Sequence, residues 1–274
     1  MTNGMVSVVM PAYNESAFIA SNLREVVEAF DSFGTDFEVI LVDDGSSDHT
    51  YLYACALILE RPERMRIVRY DQNQGKGNAL MAGAACARGE YVIFLDADMD
   101  LHPSQIPGFF DIMARTGADA VIGSKLHPKS QVNYPGHRRI YSLGYYCFVW
   151  MLFGLPLRDT QTGMKVFKAA LLRDVLPRVL AKRFAFDIEV LAIAHKLGYK
   201  ITDAPVVLNF SRGFGRIDRR VVWQIFVDTL AIFYRLRIRH YYDVAHNPGL
   251  FTADTRAARE VTLEDARALA RHGN

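Results

Sequence analysis

The stretch YVIFLDADMD, residues 91–100, decides the fold because a buried strand ends there in an acidic run. Residues 91–95 form a continuous apolar segment, which is typical of a strand covered on both faces in a parallel sheet. Carboxylates then stand at every second position: Asp96, Asp98 and Asp100. Since side chains alternate along an extended chain, we expect all three carboxylates on one side of the backbone.

Three carboxylates at such close range repel one another unless a cation lies between them. A hard divalent ion takes oxygen ligands and keeps positions open for substrate phosphates. The acidic run therefore predicts a metal site formed by Asp96, Asp98 and Asp100. The alternative is that the run only caps the next helix, which residues 102–104 (His-Pro-Ser) would also suit.

The first 125 residues alternate strand and helix patterns. Apolar runs predict strands at residues 6–10, 37–42, 66–70, 91–95 and 118–123. Helical spacing predicts helices at residues 16–30 and 78–87, with a further helix between the second and third strands. This alternation predicts an α/β fold, with a mostly parallel, Rossmann-like sheet flanked by helices.

Polar clusters follow three of these strands: PAYNE at residues 11–15, DDGS at residues 43–46, and the acidic run at residues 96–100. Ligands of parallel sheets bind beyond the carboxyl ends of the strands, so we expect these clusters to meet along one rim. Asp43 and Asp44 would hold the ribose or base of a nucleotide there. The alternative is that they only form a turn with the glycine that follows.

A glycine-rich turn, NQGKGNA at residues 73–79, opens the next predicted helix. Glycines let backbone amides approach an anion, Lys76 adds positive charge, and the helix N-terminus adds its dipole. The turn is not a P-loop, because its glycine spacing and its ending differ from that motif. A tight turn with an exposed lysine is the alternative.

The second half of the chain carries two apolar segments bordered by arginines. Residues 140–157 hold no charge, and their length is at the lower limit of a membrane span of about 20 residues. Residues 221–234 are apolar apart from Gln224 and Asp228. We expect interfacial, amphipathic helices that contact an anionic membrane surface rather than cross it. Plain core helices and a solvated basic face are the alternatives.

Composition limits the class of protein. The chain has 274 residues, half of them hydrophobic, and its net charge of +2 gives no case for nucleic-acid binding. The three cysteines are odd in number and lack C-x-x-C spacing, which favours a reducing, cytosolic setting with buried thiols. No basic segment precedes the first apolar run, so we expect no signal peptide.

Taken in their order along the chain, the motifs resemble those of the family 2 inverting glycosyltransferases, which have a GT-A fold. The resemblance covers about residues 6–237 and includes three later motifs: GSK at residues 123–125, DTQTGMK at 159–165 and FDIE at 186–189. The later motifs are similar to those of the polyprenyl-phosphate branch, the dolichol-phosphate mannose and glucose synthases. Their details favour the glucosyl members.

The resemblance implies roles for the matching positions. The nucleotide sugar would be bound by Pro11, Tyr13, Glu15, Asp43, Asp44, Gly75, Lys76, Asp96 and Ala97. A Mg²⁺ or Mn²⁺ ion would be held by Asp96, Asp98 and Asp100. The acceptor phosphate would be bound by Lys125, Arg139, Arg212 and Arg216, although residues 213–217 depart from the Ser-Lys pattern of many members. The catalytic residues would be Asp98, Asp159, Lys125 and Arg139.

The implied reaction moves a hexose, with inversion, from a nucleotide diphosphate to a polyprenyl phosphate. UDP-glucose is the favoured donor and GDP-mannose the next. Asp159 would orient the acceptor or take a proton, and a purely structural aspartate is the alternative for this position. We expect the protein to bind the cytoplasmic face of a membrane peripherally. A membrane subunit and a second copy of the chain are candidate partners.

The expected organisation is one catalytic GT-A domain with a tail. Its nucleotide-sugar part would span residues 1–125 and its acceptor part residues 126–242, where the interfacial helices lie. A polar tail would follow at residues 243–274, with a short helix that begins near Thr262.

Three other functions are open to this sequence. A related transferase that acts on a sugar hydroxyl in cell-surface polysaccharide synthesis would need a general base and no apolar segments. A sugar-nucleotide pyrophosphorylase would carry a glycine-rich loop after its first strand, where this chain has PAYNE. A nucleotide-sugar sensor or membrane adaptor would bind the donor without transferring the sugar.

Overall fold

A computed structural model of the protein describes residues 2, 4–132, 136–183, 185–208, 219–243 and 258–272. The strands within these ranges are β1 (Val6–Ala12), β2 (Phe37–Asp44), β3 (Met65–Tyr70), β4 (Tyr91–Leu95), β5 (Ala120–Ser124), β6 (Gln131–Val132), β7 (Met164–Lys168), β8 (Ile201–Pro205), β9 (Val207–Leu208) and β10 (Arg259–Glu260). The α-helices are α1 (Ile19–Phe33), α2 (Thr50–Glu60), α3 (Lys76–Cys86), α4 (Ile106–Thr116), α5 (Gly136–Phe153), α6 (Ala169–Val175), α7 (Phe186–Lys196), α8 (Arg219–Phe233) and α9 (Leu263–His272). A π-helical turn, Tyr234–Ile238, continues α8.

The main sheet has eight strands in the order β10-β3-β2-β1-β4-β7-β5-β8. Strand β1 lies parallel to both β2 and β4, β2 lies parallel to β3, and β5 lies parallel to β8. Only β7 and the edge strand β10 run antiparallel to their neighbours among the described strands of this sheet. The predicted α/β architecture with a mostly parallel sheet is confirmed.

Helices cover both faces of this sheet. Along β1, Val6, Val8 and Met10 belong to one core with residues of α1, α2 and α4, because side chains alternate along a strand. Val9 belongs to the opposite core with residues of α3, α6 and α7. Each such side chain contributes roughly 1.5–3 kcal/mol through burial. Apolar residues at consecutive positions of a strand are therefore needed, as the sequence pattern indicates.

Several boundaries differ from the predicted ones for local reasons. Helix α1 begins at Ile19 rather than at residue 16, because the amide of Ser16 donates to the carboxylate of Asp48 at 3.0 Å and the chain turns before it enters the helix. Strand β2 continues to Asp44, two residues beyond the predicted apolar run, because the sheet pairing extends through both aspartates. The extension of β2 places both aspartates at the carboxyl end of the strand, within the sheet.

The second half adds a pair of helices at the side of the sheet. Phe148 of α5 stacks on Phe226 of α8 with 4.8 Å between ring centroids, and the Tyr145 hydroxyl lies 3.3 Å from the Thr229 hydroxyl. Helix α5 buries Val149 towards the core. Both helices combine a packed side with exposed apolar residues. None of the helices in the described ranges is both long and apolar enough to cross a bilayer.

Part of the C-terminal region belongs to the sheet. Strand β10 pairs with β3 at its edge, and Val261 and Ala266 are buried in the core beside α2. The side chain of Thr262 accepts a hydrogen bond from the Asp265 amide at 3.1 Å, while the Asp265 carboxylate accepts from the Thr262 amide at 3.0 Å. This reciprocal cap starts α9 where the sequence predicts a helix.

The three cysteines are free thiols in different environments. Cys55 is buried, Cys86 is half-buried and Cys147 is exposed on α5. The prediction of buried thiols is therefore correct for Cys55 and wrong for Cys147, which lies on the exposed side of an apolar helix.

Candidate active site

A cleft of about 440 Å³ opens at the carboxyl ends of β1, β2 and β4. The three polar clusters predicted to share a rim meet at this cleft. Its wall is formed by Pro11, Ala12, Tyr13, Glu15, Asp44, Asn73, Gly75, Lys76, Asp96, Ala97, Asp98 and Arg183. The wall thus combines an aromatic ring, carboxylates and two cationic side chains within a volume typical of small-molecule sites.

The loop after β1 is fixed to the loop after β2 by hydrogen bonds. The Asn14 amide donates to the Ser46 hydroxyl at 2.9 Å, and the Glu15 amide donates to the Thr50 hydroxyl at 2.7 Å. Asn14 adopts a left-handed conformation with φ of 56°, which asparagine tolerates better than most residues. The loop is therefore held in place while Tyr13 stays 48% exposed at the cleft. An exposed ring in this position offers a face for stacking on a base.

The neighbouring residues Asp43 and Asp44 have different environments. The Asp44 carboxylate lies on the cleft wall and accepts from the amides of Gln74 at 2.7 Å and Gly75 at 2.9 Å. Burial raises the pKa of Asp44, and these two hydrogen bonds oppose the rise. Asp43 is fully buried, 3.3 Å from Arg69, and is not part of the cleft wall. The structure therefore brings Asp44, but not Asp43, to the predicted nucleotide pocket.

The glycines of the NQGKGNA turn allow close packing against residues 182–183. Gly75 has φ of 95°, and a Cβ added there would lie 2.7 Å from the Lys182 carbonyl oxygen. A Cβ at Gly77 would lie 2.7 Å from the Cβ of Phe186. The Gly75 amide already donates to Asp44. The glycines therefore let two backbone segments of the protein pack closely together. The side chain of Lys76 remains directed to the cleft.

The acidic run at residues 96–100 is a turn, so the expectation of an extended segment is wrong. The Met99 amide donates to the Asp96 carbonyl at 3.3 Å, and Met99 has a left-handed φ of 57°. The Asp98 carboxylate accepts from the Asp100 amide at 3.2 Å. This turn leaves Asp96 and Asp98 on the cleft wall, whereas Asp100 is not part of it.

Lys76 provides the positive charge beside the acidic turn. Its Nζ atom lies 2.6 Å from Oδ1 of Asp96. Although burial acts to lower it, the pKa of the Lys76 ammonium is raised, chiefly by Asp96 and Asp187. Burial, together with the charges of Asp96 and Asp100, raises the pKa of Asp98 to about 6. One carboxylate of the turn is thus neutralised by lysine, and the other lacks comparable compensation.

The residues present fit a divalent cation that takes two protein ligands. Within the described part of the chain, no three His, Cys, Asp or Glu side chains converge as a metal centre, so the predicted set of three aspartates is not assembled. Mg²⁺-type sites commonly use one or two carboxylates and complete their shell with substrate phosphates and water. Asp96 and Asp98 supply two such carboxylates, and the raised pKa of Asp98 reflects a charge that a cation would stabilise.

A second loop supports the acidic turn from behind. The Asp96 amide donates to the Gly163 carbonyl at 3.2 Å, and a Cβ at Gly163 would lie 2.3 Å from the Asp96 carboxylate. Asp159 shapes this loop, since its carboxylate accepts from the Gln161 amide at 2.9 Å and the Thr162 hydroxyl at 2.7 Å. The glycine of the DTQTGMK motif is therefore needed to make room for Asp96.

The predicted acceptor residues are only partly described. Lys125 has its Nζ 3.9 Å from the Asp159 carboxylate, and its amide donates to the same carboxylate at 3.2 Å. This pair is not part of the cleft wall. The side chain of Arg139, in α5, and the whole of Arg212 and Arg216 lie outside the described residues. Their predicted contact with an acceptor phosphate stays a prediction.

Two features of the site were missed at the sequence level. Arg183 reaches the cleft because residues 182–183 pack on Gly75, and no sequence pattern around it marks this role. Lys165 is 2% exposed, with its Nζ 3.0 Å from the Asp187 carboxylate and 2.5 Å from the Thr162 carbonyl oxygen. A lysine within an apolar strand was a signal for such a buried pair, because an unpaired buried ammonium is costly.

The sequence of the chain is similar to those of known glycosyltransferases. The sequence profile described as "Glycosyl transferase family 2" matches residues 7–179. The chain is 31% identical over 216 residues to "Dolichyl-phosphate beta-glucosyltransferase" from Dictyostelium discoideum, covering 74% of this chain and 66% of that protein. It is 29% identical over 220 residues to the protein of the same description from Saccharomyces cerevisiae, covering 73% and 66%. The chain thus spans just under two thirds of the length of each relative.

Solved structures share the fold. Glucosyl-3-phosphoglycerate synthase from Mycobacterium tuberculosis, in complex with phosphoglyceric acid, superimposes with a TM-score of 0.64 at 22% identity, covering 89% of this chain and 82% of that chain. A structure of the same enzyme with Mn²⁺, UDP-glucose and phosphoglyceric acid gives a TM-score of 0.61 at 21% identity, covering 89% and 81%. These likenesses confirm the predicted GT-A fold. Since the matched profile covers more than half of the sequence, the chain belongs to glycosyl transferase family 2.

Proposed function

We propose that the protein transfers a hexose from a nucleotide diphosphate sugar to a polyprenyl phosphate, with inversion at the anomeric carbon. The observation that carries this proposal is the cleft that joins Tyr13, Lys76 and Arg183 to the carboxylates Asp96 and Asp98. An exposed ring suits a base, and cationic side chains beside paired carboxylates suit a diphosphate with its divalent ion. The names of the two relatives support a glucosyl transfer to dolichyl phosphate.

Each residue of the cleft has a distinct task in donor binding. Tyr13 would stack on the base, and Asp44 would hold the glycine turn that carries Lys76. Lys76 would share its charge between Asp96 and the diphosphate of the donor. Asp96 and Asp98 would hold Mg²⁺ or Mn²⁺, which when bound neutralises negative charge on the leaving diphosphate. UDP-glucose is the favoured donor because the structurally similar synthase binds it, with GDP-mannose next.

The acceptor needs positioning more than it needs a base. A phosphate monoester has a second pKa of about 6, so its oxygen is already ionised near neutral pH. Cationic side chains must hold it beside the donor, and Lys125, Arg139, Arg212 and Arg216 are the candidates. The Asp159 carboxylate accepts hydrogen bonds from the Lys125 amide, the Gln161 amide and the Thr162 hydroxyl, all within its own and a neighbouring loop. We therefore assign Asp159 to shaping the loop behind Asp96 rather than to removing a proton.

Transfer to a lipid phosphate is the expected result when the purified protein is mixed with labelled UDP-glucose, Mn²⁺ and a polyprenyl phosphate. Label should enter the organic phase, and the unphosphorylated polyprenol should give none because the attacking oxygen belongs to the phosphate. GDP-mannose, run in parallel, identifies the preferred donor. Transfer only to oligosaccharide hydroxyls would establish the related polysaccharide enzyme instead. Binding of the nucleotide sugar without any transfer would instead support a nucleotide-sugar sensor.

We further propose that α5 and α8 rest on a membrane surface, at the cytoplasmic face. The apolar residues of these helices that are exposed are Leu143, Trp150, Met151, Val222, Trp223, Phe226, Val227 and Leu230. So many exposed large apolar side chains on two helices that pack together are unusual on a protein that contacts only water. Amphipathic helices with such a face and nearby arginines bind anionic lipid interfaces.

The two tryptophans of the chain, Trp150 and Trp223, report this contact directly because both lie in the patch. Their fluorescence should shift to the blue when vesicles that contain phosphatidylglycerol are added, and salt should weaken the shift. Val227→Asp should weaken vesicle binding about tenfold by placing a charge in the patch. The control is Phe18→Asp, at an exposed apolar residue that caps α1, a helix on the opposite face of the sheet from the core that α5 and α8 join. Equal effects of both substitutions, or no shift at all, would exclude this surface.

A further inference from the structure

Glu189, in the FDIE motif, lies at a junction between α7, the residues just before it and the end of α8. It is fully buried in the first turn of α7 and accepts hydrogen bonds on both carboxylate oxygens. Oε2 accepts from the amides of Leu180 at 2.8 Å and Ala181 at 2.6 Å. Oε1 accepts from the guanidinium of Arg235 at 3.0 Å and from the hydroxyl of Tyr242. One buried charge therefore joins two segments that are far apart in the sequence.

The first of these segments leads to the cleft. Residues 180–183 form a short connection whose last member, Arg183, belongs to the cleft wall. The Lys182 carbonyl accepts from the Asn78 amide at 3.3 Å, and its oxygen packs where a Cβ at Gly75 would lie. Without the two amide bonds to Glu189, this connection would lose its fixed start. Glu189 is therefore one of the anchors of the connection that carries Arg183.

The second segment leads to the apolar patch. Arg235 lies in the π-helical turn that continues α8, and its Nε donates to the Tyr242 hydroxyl at 3.0 Å. Turns of this π-helical type are rare and frequently occur at functional positions. Arg235 and Tyr242 together hold the end of α8 against the same carboxylate that holds residues 180–181. Movement of α8 would reach the cleft through this junction.

We propose that Glu189 is a positioning residue that couples the end of α8 to the place of Arg183 in the donor cleft, so that Arg183 binds the donor diphosphate only when the junction is intact. The proposal rests on the proposed function, since it takes the cleft to bind a nucleotide diphosphate. It assigns Arg183 a direct contact with the diphosphate and Glu189 an indirect one.

Tyr242→Phe is the mild test because it removes one hydroxyl from the junction and leaves the carboxylate paired with Arg235. Affinity for UDP, measured by calorimetry, should fall about tenfold, as expected for one lost hydrogen bond to a charged group. The KM for the nucleotide sugar should rise while the KM for the acceptor stays unchanged. The matched control is Tyr199→Phe, which removes a tyrosine hydroxyl bound to Asp174 at 3.1 Å outside the junction. It should leave UDP affinity unchanged.

Glu189→Gln and Arg183→Ala form a double-mutant cycle. Each should weaken UDP binding, and the double variant should be no weaker than Arg183→Ala alone, because Glu189 acts through Arg183. Additive losses would overturn the proposal, as would unchanged UDP affinity in both Tyr242→Phe and Glu189→Gln.

A readout without nucleotide separates this proposal from the proposed function. Trypsin should cleave after Lys182 or Arg183 about tenfold faster in Tyr242→Phe than in Tyr199→Phe, because residues 180–183 are released when the anchor is weakened. Equal cleavage rates in the two variants would contradict the anchoring role of Glu189, whatever ligand the cleft binds. If the wild type binds neither UDP nor GDP while Tyr242→Phe is still cleaved faster than Tyr199→Phe, the proposed function is contradicted. The role of Glu189 as an anchor of residues 180–183 is then still supported.

Discussion

Asp98→Asn is expected to lower turnover by about three decades and, in metal-free buffer at pH 7, to raise the thermal stability of the protein. The loss of turnover follows because asparagine supplies no negative charge for a cation that compensates the leaving diphosphate. The gain in stability follows from the environment of the carboxylate. Burial and the charges of Asp96 and Asp100 raise the pKa of Asp98 to about 6, so the ionised form is unfavourable in the folded protein.

The sign of the pH dependence is fixed by this pKa. An aspartate in the unfolded chain ionises near pH 3.8, whereas Asp98 in the folded protein ionises near pH 6. Between these values the folded state binds more protons, so the contribution of Asp98 to stability falls as pH rises from about 4 to about 6. Above that range the charge costs about 2 kcal/mol, from about 1.4 kcal/mol per pKa unit with allowance for partial exposure.

Melting temperatures with EDTA at pH 4.5 and pH 7.5 measure this contribution. On going from pH 7.5 to pH 4.5, the wild type should gain more stability, or lose less, than Asp98→Asn, because only the wild type has a carboxylate that becomes protonated in the folded state. Added Mn²⁺ should stabilise the wild type and leave the variant unchanged. Asp111→Asn, at an exposed aspartate on α4, is the control and should match the wild type in every assay. Full turnover of Asp98→Asn would end the assignment of Asp98.

The parts of this structure that could be predicted are those that depend on local sequence. Apolar runs such as residues 91–95 must be strands because both faces of the sheet are covered, and strand ends of a parallel sheet share one rim. The meeting of PAYNE, Asp44 and the acidic run follows from these two facts alone. The resemblance to a known family then indicates which ligand each motif is expected to bind.

The parts that could not be predicted depend on contacts between distant segments. Arg183 enters the cleft only because Gly75 and Gly77 admit the backbone of residues 182–183. The sequence alone does not distinguish the roles of Asp43 and Asp44. Because side chains alternate along β2, Asp43 points into the core and Asp44 lies on the cleft wall. Met99 adopts a left-handed conformation that turns the acidic run, and methionine has no preference for this conformation from which the turn could be predicted. Each of these outcomes is decided by the packing of the whole domain.

Lys165→Met is expected to cost about 3–5 kcal/mol of folding free energy, because it leaves the Asp187 carboxylate buried without its partner. Lys165 is 2% exposed and its Nζ lies 3.0 Å from Asp187, so water cannot replace the lost ammonium. Methionine fills a similar volume, which separates the loss of charge from the loss of packing. Urea denaturation at pH 7 measures the effect.

Two further variants decide whether the cost comes from the pair. Lys168→Met, on the same strand, removes an ammonium that lies 2.9 Å from Asp119 but is 41% exposed, and it should cost less than about 1 kcal/mol. Combining Lys165→Met with Asp187→Asn should recover much of the lost stability, because no unpaired charge then remains in the core. If Lys165→Met costs no more than Lys168→Met, the buried pair is not what holds β7 to α7. A large cost that the second substitution does not reduce would assign the role of Lys165 to its hydrogen bond with the Thr162 carbonyl, and so to the loop that supports Asp96.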